Sequence, residues 1–235
     1  MVPMLKNLLF KLVGRASREQ QDPRAFLRVI VEGLKGVVDF YGAGFESNVI
    51  KYALRGTAKL CGEEPPSGIK TLDQLEEYLA SKMDKINAPY LLIWAMFVVS
   101  KKFEGYQGLS EVILERSIPK FARKNYGGEL KRGDIKAAVS KAYSDLVSMR
   151  TAPLEVRYRK KNGDVLLLIK NCFLFDGCRI SKQSGLSERA DGTIVCGIAS
   201  FICHYISEAT GNEWHYAIVK FEGGECITHC SPILT

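Results

Sequence analysis

The cysteines are the residues of this sequence whose type and spacing could most readily do chemistry. Only Cys61 stands apart, and the other six fall in the last third of the 235-residue chain. The six are Cys172, Cys178, Cys196, Cys203, Cys226 and Cys230. Thiolates bind zinc and also act as nucleophiles, so this clustering predicts either a metal site or a thiol centre.

Two pairs among these cysteines have spacings that place their members on one face. Cys196 and Cys203 lie seven residues apart on a predicted helix, which is two turns. Cys226 and Cys230 lie four residues apart on a predicted strand, and an even spacing keeps them on one side. If the hairpin packs on the helix, thiolates could converge in the tetrahedral geometry that zinc prefers. The alternative is that they are small buried residues, as free cysteines often are.

The remaining thiols and histidines offer weaker chemistry. Cys172 and Cys178 could form a redox pair, but five residues separate them, so a buried structural role is favoured. Cys203 and His204 are adjacent on a helix and point about 100° apart, so they cannot pair as nucleophile and base. A thiol- or metal-dependent hydrolase using Cys203, Cys226 or His215 stays open as an alternative.

Basic residues are concentrated in the middle of the chain. The net charge is +7, and residues 101–161 hold 15 Lys and Arg against 7 Asp and Glu. Candidate phosphate contacts are Arg157, Arg159 and Lys161 on one strand face, and Lys120, Arg123 and Lys124 at a helix end. No helix-turn-helix, aromatic RNA-binding motif or zinc finger accompanies them, so nucleic-acid association is a disfavoured alternative.

Large aromatic side chains come from several predicted elements. Most of them will belong to the core, but some could line a cavity for an apolar or aromatic ligand. The candidate pocket residues are Phe45, Trp94, Phe97, Trp214 and His215.

The hydrophobic pattern shows which elements position these residues. At 46% hydrophobic and 25% charged the chain is typical of a globular domain. The apolar period is 3.6 up to about residue 149 and becomes 2 after Pro153, which predicts an α+β fold. A helical N-terminal half is followed by antiparallel β-hairpins flanking one helix. Predicted helices cover 23–41, 45–60, 71–87, 109–126, 131–149 and 195–210, and predicted strands cover 154–159, 165–169, 214–221 and 226–233.

Other segments fit two kinds of structure or serve as connections. Residues 90–99 fit a strand or a buried helix equally, and residues 176–193 form a loop. Residues 1–22 are predicted to be an amphipathic N-terminal segment and linker. Leu5, Leu8, Leu9 and Leu12 would lie on one face of a short helix that docks on the body, a partner or a membrane surface. Residues 23–235 then form a single domain.

The chain has no sign of secretion or of a membrane span. Lysines interrupt the apolar N-terminus, and the most apolar run, residues 89–99, is only eleven residues long against the roughly twenty needed to cross a bilayer. An odd number of cysteines without secretory context favours reduced thiols, and therefore a cytoplasmic protein.

Two segments give the sequence a family resemblance. The first is the glycine-punctuated helix from Gly42 to Gly62. The second runs from Val195-Cys196 through a helix ending at Gly211, then a strand, then Glu222-Gly-Gly-Glu-Cys226-Ile-Thr-His-Cys230. In this order they resemble the 4-vinyl reductase, or hydrocarbon-binding, domain family.

The resemblance implies a sensor or adaptor domain, often a homodimer, with a pocket for an apolar small molecule and a possible protein partner. It also implies a zinc site at Cys196, Glu222, Cys226 and Cys230. The sequence departs from the family by one extra residue between Glu222 and Cys226 and by a shorter gap to Cys230. It contains no dinucleotide-binding fingerprint, so reductase chemistry is not expected.

Overall fold

The computed structural model describes residues 11–16, 23–102, 123–124, 129–149, 154–176, 178–179 and 196–233. Its helices are α1 (Pro23–Tyr41), α2 (Ala43–Cys61), α3 (Leu72–Ala80), α4 (Ala88–Lys102), α5 (Ile135–Ser148) and α6 (Gly197–Thr210). Its strands are β1 (Lys11–Ala16), β2 (Leu154–Lys161), β3 (Asp164–Lys170), β4 (Trp214–Glu222) and β5 (Glu225–Pro232). Helices precede most strands, and the α+β prediction is confirmed.

Helices α1 to α4 pack on one another and form what we call the helical layer. Helix α4 lies against both α1 and α2, and α3 lies against α1 and α2. The approach of α2 to α4 depends on Gly56, because a Cβ there would lie 2.8 Å from Leu91 and 2.9 Å from Trp94. The ambiguous segment 90–99 is helical, which fits a helix apolar on all sides and buried between neighbours.

The boundaries of the helices follow their local sequence signals. Thr71 and Gln74 form the predicted capping box at the start of α3. Helix α3 ends at Ala80 rather than near residue 87: Ser81 is its C-cap and residues 81–85 form turns. Gly62 and Gly211 end α2 and α6 in the left-handed conformation, with φ of 67° and 73°.

The five strands form one antiparallel sheet in the order β1-β2-β3-β5-β4. The turn of the β2–β3 hairpin is Asn162-Gly163, with φ of 51° and 92°, as the sequence predicted. Helices α5 and α6 pack on each other, α5 contacts β1 and β2, and α6 contacts β4 and β5. We call the sheet with these two helices the sheet layer.

Strand β1 corrects the prediction for the N-terminal segment. Lys11–Ala16 were expected in an amphipathic helix and a linker, but they pair with β2, with Lys11 opposite Tyr158 and Ala16 opposite Leu154. Gly14 lies under the ring of Tyr143 from α5, where no side chain fits. The segment is a strand because the free edge of β2 supplies backbone partners.

A short connection after β3 joins the two layers. The ring of Phe26 in α1 meets the ring of Phe173 edge-on, with centroids 5.1 Å apart. The side-chain amide of Asn87 donates to the carbonyl of Phe173 at 3.1 Å.

Several predictions lie outside the described residues. These are the N-terminal residues 1–10, nearly all of the helix predicted over 109–126, and the part of the predicted loop from 180 to 193. Among the helices that are described, none is long and apolar enough to cross a membrane.

Candidate functional site

Cys196 stands at the junction of the final helix and the sheet. It is the N-cap of α6, and its Sγ accepts a hydrogen bond from the backbone N–H of Ala199 at 3.4 Å. Its own backbone N–H donates to the hydroxyl of Tyr216 on β4 at 3.0 Å. The residue is 7% exposed. Helix capping, packing and a strand contact therefore fix the position of this thiol.

Four cysteines from separate parts of the chain line one small cavity. Cys196 begins α6, Cys226 lies on β5, and Cys172 and Cys178 flank the short segment after β3. The other walls are apolar, from Ile169, Leu174, Phe175, Ile198, Ile218 and Phe221. The cavity has a volume of about 10 Å³. That is the size of one water molecule or ion and far below the several hundred Å³ of an organic ligand site.

The thiols at this cavity are neutral at physiological pH. Desolvation is the largest effect on each of them and raises the pKa of Cys172 to about 12. The same cause raises the pKa of Cys178, Cys196 and Cys226. Neighbouring sulfurs add to the rise, since a second thiolate beside the first is unfavourable. None of these cysteines is an activated nucleophile, which requires a lowered pKa.

Cys230 pairs with Cys203, within the expected meeting of the helix and hairpin cysteines but outside the ligand set that the resemblance implied. It does not line the four-cysteine cavity, and its thiol is hydrogen-bonded with Cys203 of α6. Burial, followed by that hydrogen bond, raises the pKa of Cys230. The thiol of Cys203 also donates to the backbone carbonyl of His215 at 3.9 Å. Cys203 and Cys230 thus form a second, buried thiol pair.

Glu222 lies at the far end of β4 and points into solvent. Its side chain is 70% exposed and forms an ion pair with Lys220 at 2.9 Å. The structure therefore brings Cys196 and Cys226 to the cavity and leaves Glu222 and Cys230 away from it. Within the part of the chain that the structure describes, no group of three or more His, Cys, Asp or Glu side chains is arranged to hold a metal ion.

The candidate pocket residues lie in both layers. Phe45 is fully buried in α2 and Trp94 is partly buried in α4, both in the helical layer. Trp214 is 8% exposed on β4, and its indole N–H donates to the hydroxyl of Thr210 at 2.9 Å. His215, the next residue, is exposed on the opposite side of the strand. The backbone of Phe97 lies in α4, in the helical layer.

The residues of the alternative hydrolase do not meet as nucleophile and base. The ring of His215 is 3.3 Å from the hydroxyl of Ser231 on the outer side of the sheet, whereas Cys203 faces β4 from α6. A small cleft of about 120 Å³ is lined by Cys203, His204 and Trp214, among others. The ring of His204 is 3.3 Å from Glu208 rather than beside the thiol.

The basic residues that could contact phosphates are partly neutralised within the protein. Arg157 pairs with Glu155 at 2.7 Å, and Arg123 pairs with Glu208 at 2.8 Å. Arg157 and Arg159 share the face of β2 opposite to buried Tyr158, as the sequence predicted. Lys120 lies outside the described residues.

The sequence relates Cys172 and Cys178 only to each other and does not indicate that they line the same cavity as Cys196 and Cys226. The register of the strands is the feature that shows why these two cysteines lie near Cys226. Ile169 lies opposite Cys226, so the residues just after β3 reach the same end of the sheet as the start of β5. Recognising this required knowing that β3 pairs with β5 rather than only with β2.

Together, the fold and this site define an α+β structure with a cavity, lined by four cysteines, at the contact between α6 and the sheet. Comparisons of the chain with protein-family models, with curated proteins and with solved structures found no match.

Proposed function

We propose that this chain is a small-molecule-binding sensor or adaptor module in which a zinc ion joins α6 to the sheet. The observation that carries the proposal is the convergence of four cysteines, from three separate parts of the chain, on a cavity of single-ion size. Soft thiolates are preferred ligands of zinc, and closed four-cysteine sites are a common structural form. The 4-vinyl reductase resemblance motivates the sensor role and remains a proposal.

The proposed ligands differ from those that the resemblance implied. Cys196 and Cys226 are kept, and Cys172 and Cys178 take the places of Glu222 and Cys230. Because the four sulfurs are not arranged as metal ligands in this structure, they must rearrange to bind an ion. Each thiol must also lose its proton, since zinc binds thiolate. With pKa values raised by burial, the affinity for zinc should increase as the pH rises.

Metal content of the purified protein tests the zinc site. We expect about one equivalent of zinc after growth with added zinc and purification under reducing conditions. Cys172→Ser and Cys226→Ser should each lower it to less than about a tenth of an equivalent. Cys61→Ser and Glu222→Gln are matched controls and should leave it unchanged. A wild-type protein that stays below a tenth of an equivalent, with thiols that react fully with an alkylating reagent, would contradict the proposal.

The raised pKa values of the thiols favour a binding role over catalysis. A thiol hydrolase needs a cysteine of lowered pKa beside a base, and burial raises the pKa of Cys226 instead. The four-cysteine cavity is also too small for an organic substrate. An organic ligand of this module therefore needs a different site.

A homodimer and a protein partner remain proposals as well. The outer face of the sheet carries exposed Leu12 and partly buried Leu166 and Leu168, and α5 and α6 pack on its other face. Equilibrium sedimentation of the purified chain would establish whether it dimerises. Leu168→Glu should dissociate a dimer formed through this face, and a dimer that persists would have to use another surface.

A further inference from the structure

A cleft on the helical layer has the size of a small-molecule site. It lies between α2 and the loop of residues 62–70 and has a volume of about 490 Å³. Its apolar lining comes from Ile50, Leu54 and Ile69, and the first two are 4% and 7% exposed. Ligand pockets are usually about 300–1,000 Å³ with mainly apolar walls, so this cleft is large enough for an organic molecule.

Three cations surround this apolar floor. Lys51 and Arg55 lie one turn apart on α2, and Lys70 ends the loop on the opposite side. No carboxylate among the described residues forms an ion pair with any of them. Arginine and lysine placed together without counter-charges create a local positive potential, which attracts anions.

Two of the carboxylates that lie close to the cleft in sequence, Glu46 and Glu63, are engaged elsewhere. Glu46 accepts a hydrogen bond from the backbone N–H of Leu72 at 3.0 Å, at the start of α3. Glu63 forms ion pairs with Lys82 and Lys85 on the far side of the loop. Glu64, next to Pro65 in the loop, is exposed, and no ion pair among the described residues joins it to Lys51, Arg55 or Lys70. The charge of the three cations is therefore not paired within the described part of the chain.

The loop that forms the second wall is held in place at both ends. Gly62 ends α2 with φ of 67°, and the backbone N–H of Glu63 donates to the carbonyl of Ala58 at 2.9 Å. At the other end, the backbone N–H of Lys70 donates to the side chain of Gln74 at 2.8 Å. A wall fixed before binding reduces the ordering cost that a ligand would otherwise incur.

From this arrangement we propose that the cleft binds a phosphate monoester with an apolar or aromatic body. The phosphate, with a charge of about −1.5 to −2 at neutral pH, lies among the three cations. The planar guanidinium of Arg55 can donate two parallel hydrogen bonds to it. The body covers Ile50, Leu54 and Ile69. This inference rests on the proposed binding function and names its ligand class and place, but it does not depend on zinc.

Titration calorimetry with 1-naphthyl phosphate at low salt tests the proposal. We expect micromolar binding by the full chain, and binding at least tenfold weaker for 1-naphthol or inorganic phosphate alone, since each supplies only half of the contacts. The double variant Lys51→Gln/Arg55→Gln should weaken binding by at least tenfold. Lys59→Gln is the matched control, because Lys59 is an exposed cation of the same helix that does not line the cleft. It should change the affinity less than twofold.

The phosphate could belong to a free metabolite or to a lipid headgroup, and vesicles distinguish these sources. Sedimentation with vesicles containing phosphatidic acid, compared with phosphatidylcholine alone, supports a lipid source if the anionic vesicles compete with the naphthyl probe. Competition by soluble monoesters alone supports a free metabolite.

Three results would overturn the inference. The first is no binding of the probe by folded wild-type protein at millimolar concentration. The second is equal weakening by Lys59→Gln. The third is displacement of the probe by a single-stranded oligonucleotide that binds more tightly. If instead a neutral apolar molecule binds and is unaffected by the cleft variants, this inference fails while the proposed binding function stands.

Discussion

Asp145 is one of the few charged side chains that the described part of the chain buries, at 1% exposed, and two neighbours satisfy it. The hydroxyl of Tyr205 on α6 donates to it at 2.6 Å, and Lys141 on α5 forms an ion pair with it. Tyr205→Phe removes one donor from a buried carboxylate. We expect the free energy of unfolding to fall by about 1.5–3 kcal/mol, measured by urea denaturation.

The control for this prediction is a tyrosine whose hydroxyl has no hydrogen-bond partner among the described residues. Tyr78 in α3 is such a residue, and Lys82 lies over its ring. Tyr78→Phe removes the same atom and should leave stability within about 0.5 kcal/mol or raise it. Equal losses in the two variants would show that the bond between Tyr205 and Asp145 makes no special contribution.

At the level of residues, the sequence indicated which cysteines could meet only in outline. The spacings within the pairs Cys196/Cys203 and Cys226/Cys230 placed each pair on one face of its element, and whether the two faces meet depends on how the hairpin packs on the helix. Glu222 followed from the resemblance alone, and nothing in its spacing shows that it points into solvent beside Lys220. Side-chain groupings across strands depend on register, which local periodicity does not contain.

Among the elements, strand β1 can pack against α5 as it does only because residue 14 is a glycine. A Cβ at Gly14 would overlap the ring of Tyr143, which α5 places across the strand. Gly14→Ala must therefore displace either the ring or the strand, and overpacking of this kind costs about 1–3 kcal/mol. Urea denaturation measures the loss. Tyr143→Ala in the same chain should recover part of it, because the space becomes free.

A glycine in open surroundings provides the contrast. Gly36 lies in α1, and nothing lies within 4 Å of a Cβ added there. Gly36→Ala should stabilise the protein by about 0.5–1 kcal/mol through helix propensity. Destabilisation of similar size at both positions would mean that the loss at Gly14 reflects glycine replacement in general and not the contact with Tyr143.

The comparison of elements also shows which helices and strands can be predicted from the residues within and next to them. Helices α1, α2 and α5 and both hairpins were predicted nearly to their ends, since capping residues, glycines and periodicity mark them directly. The first residues of strand β1 were predicted as helix, because Leu5, Leu8, Leu9 and Leu12 fit a helical spacing, and the rest of the strand was predicted as linker. Its true partner, β2, lies more than a hundred residues later in the sequence.

Whether the whole molecule unfolds as one unit depends on the contacts between the helical layer and the sheet layer. Helices α1–α4 pack among themselves, and α5 and α6 pack with the sheet. The contacts of Phe173 with Phe26 and Asn87 connect the two layers. An aromatic pair contributes about 0.5–1.5 kcal/mol beyond the area it buries. Phe173→Ala should therefore weaken the contacts between the two layers more than it weakens the packing inside either layer.

The two tryptophans of the chain allow this coupling to be measured, because Trp94 lies in the helical layer and Trp214 in the sheet layer. In Trp94→Phe and Trp214→Phe backgrounds, the remaining tryptophan reports on one layer during urea denaturation. We expect coincident curves for each parent and separate curves after Phe173→Ala. Phe175→Ala, which removes a stacked pair with Phe221 inside the sheet layer, should leave the curves coincident. Coincident curves in Phe173→Ala would mean that other contacts couple the layers.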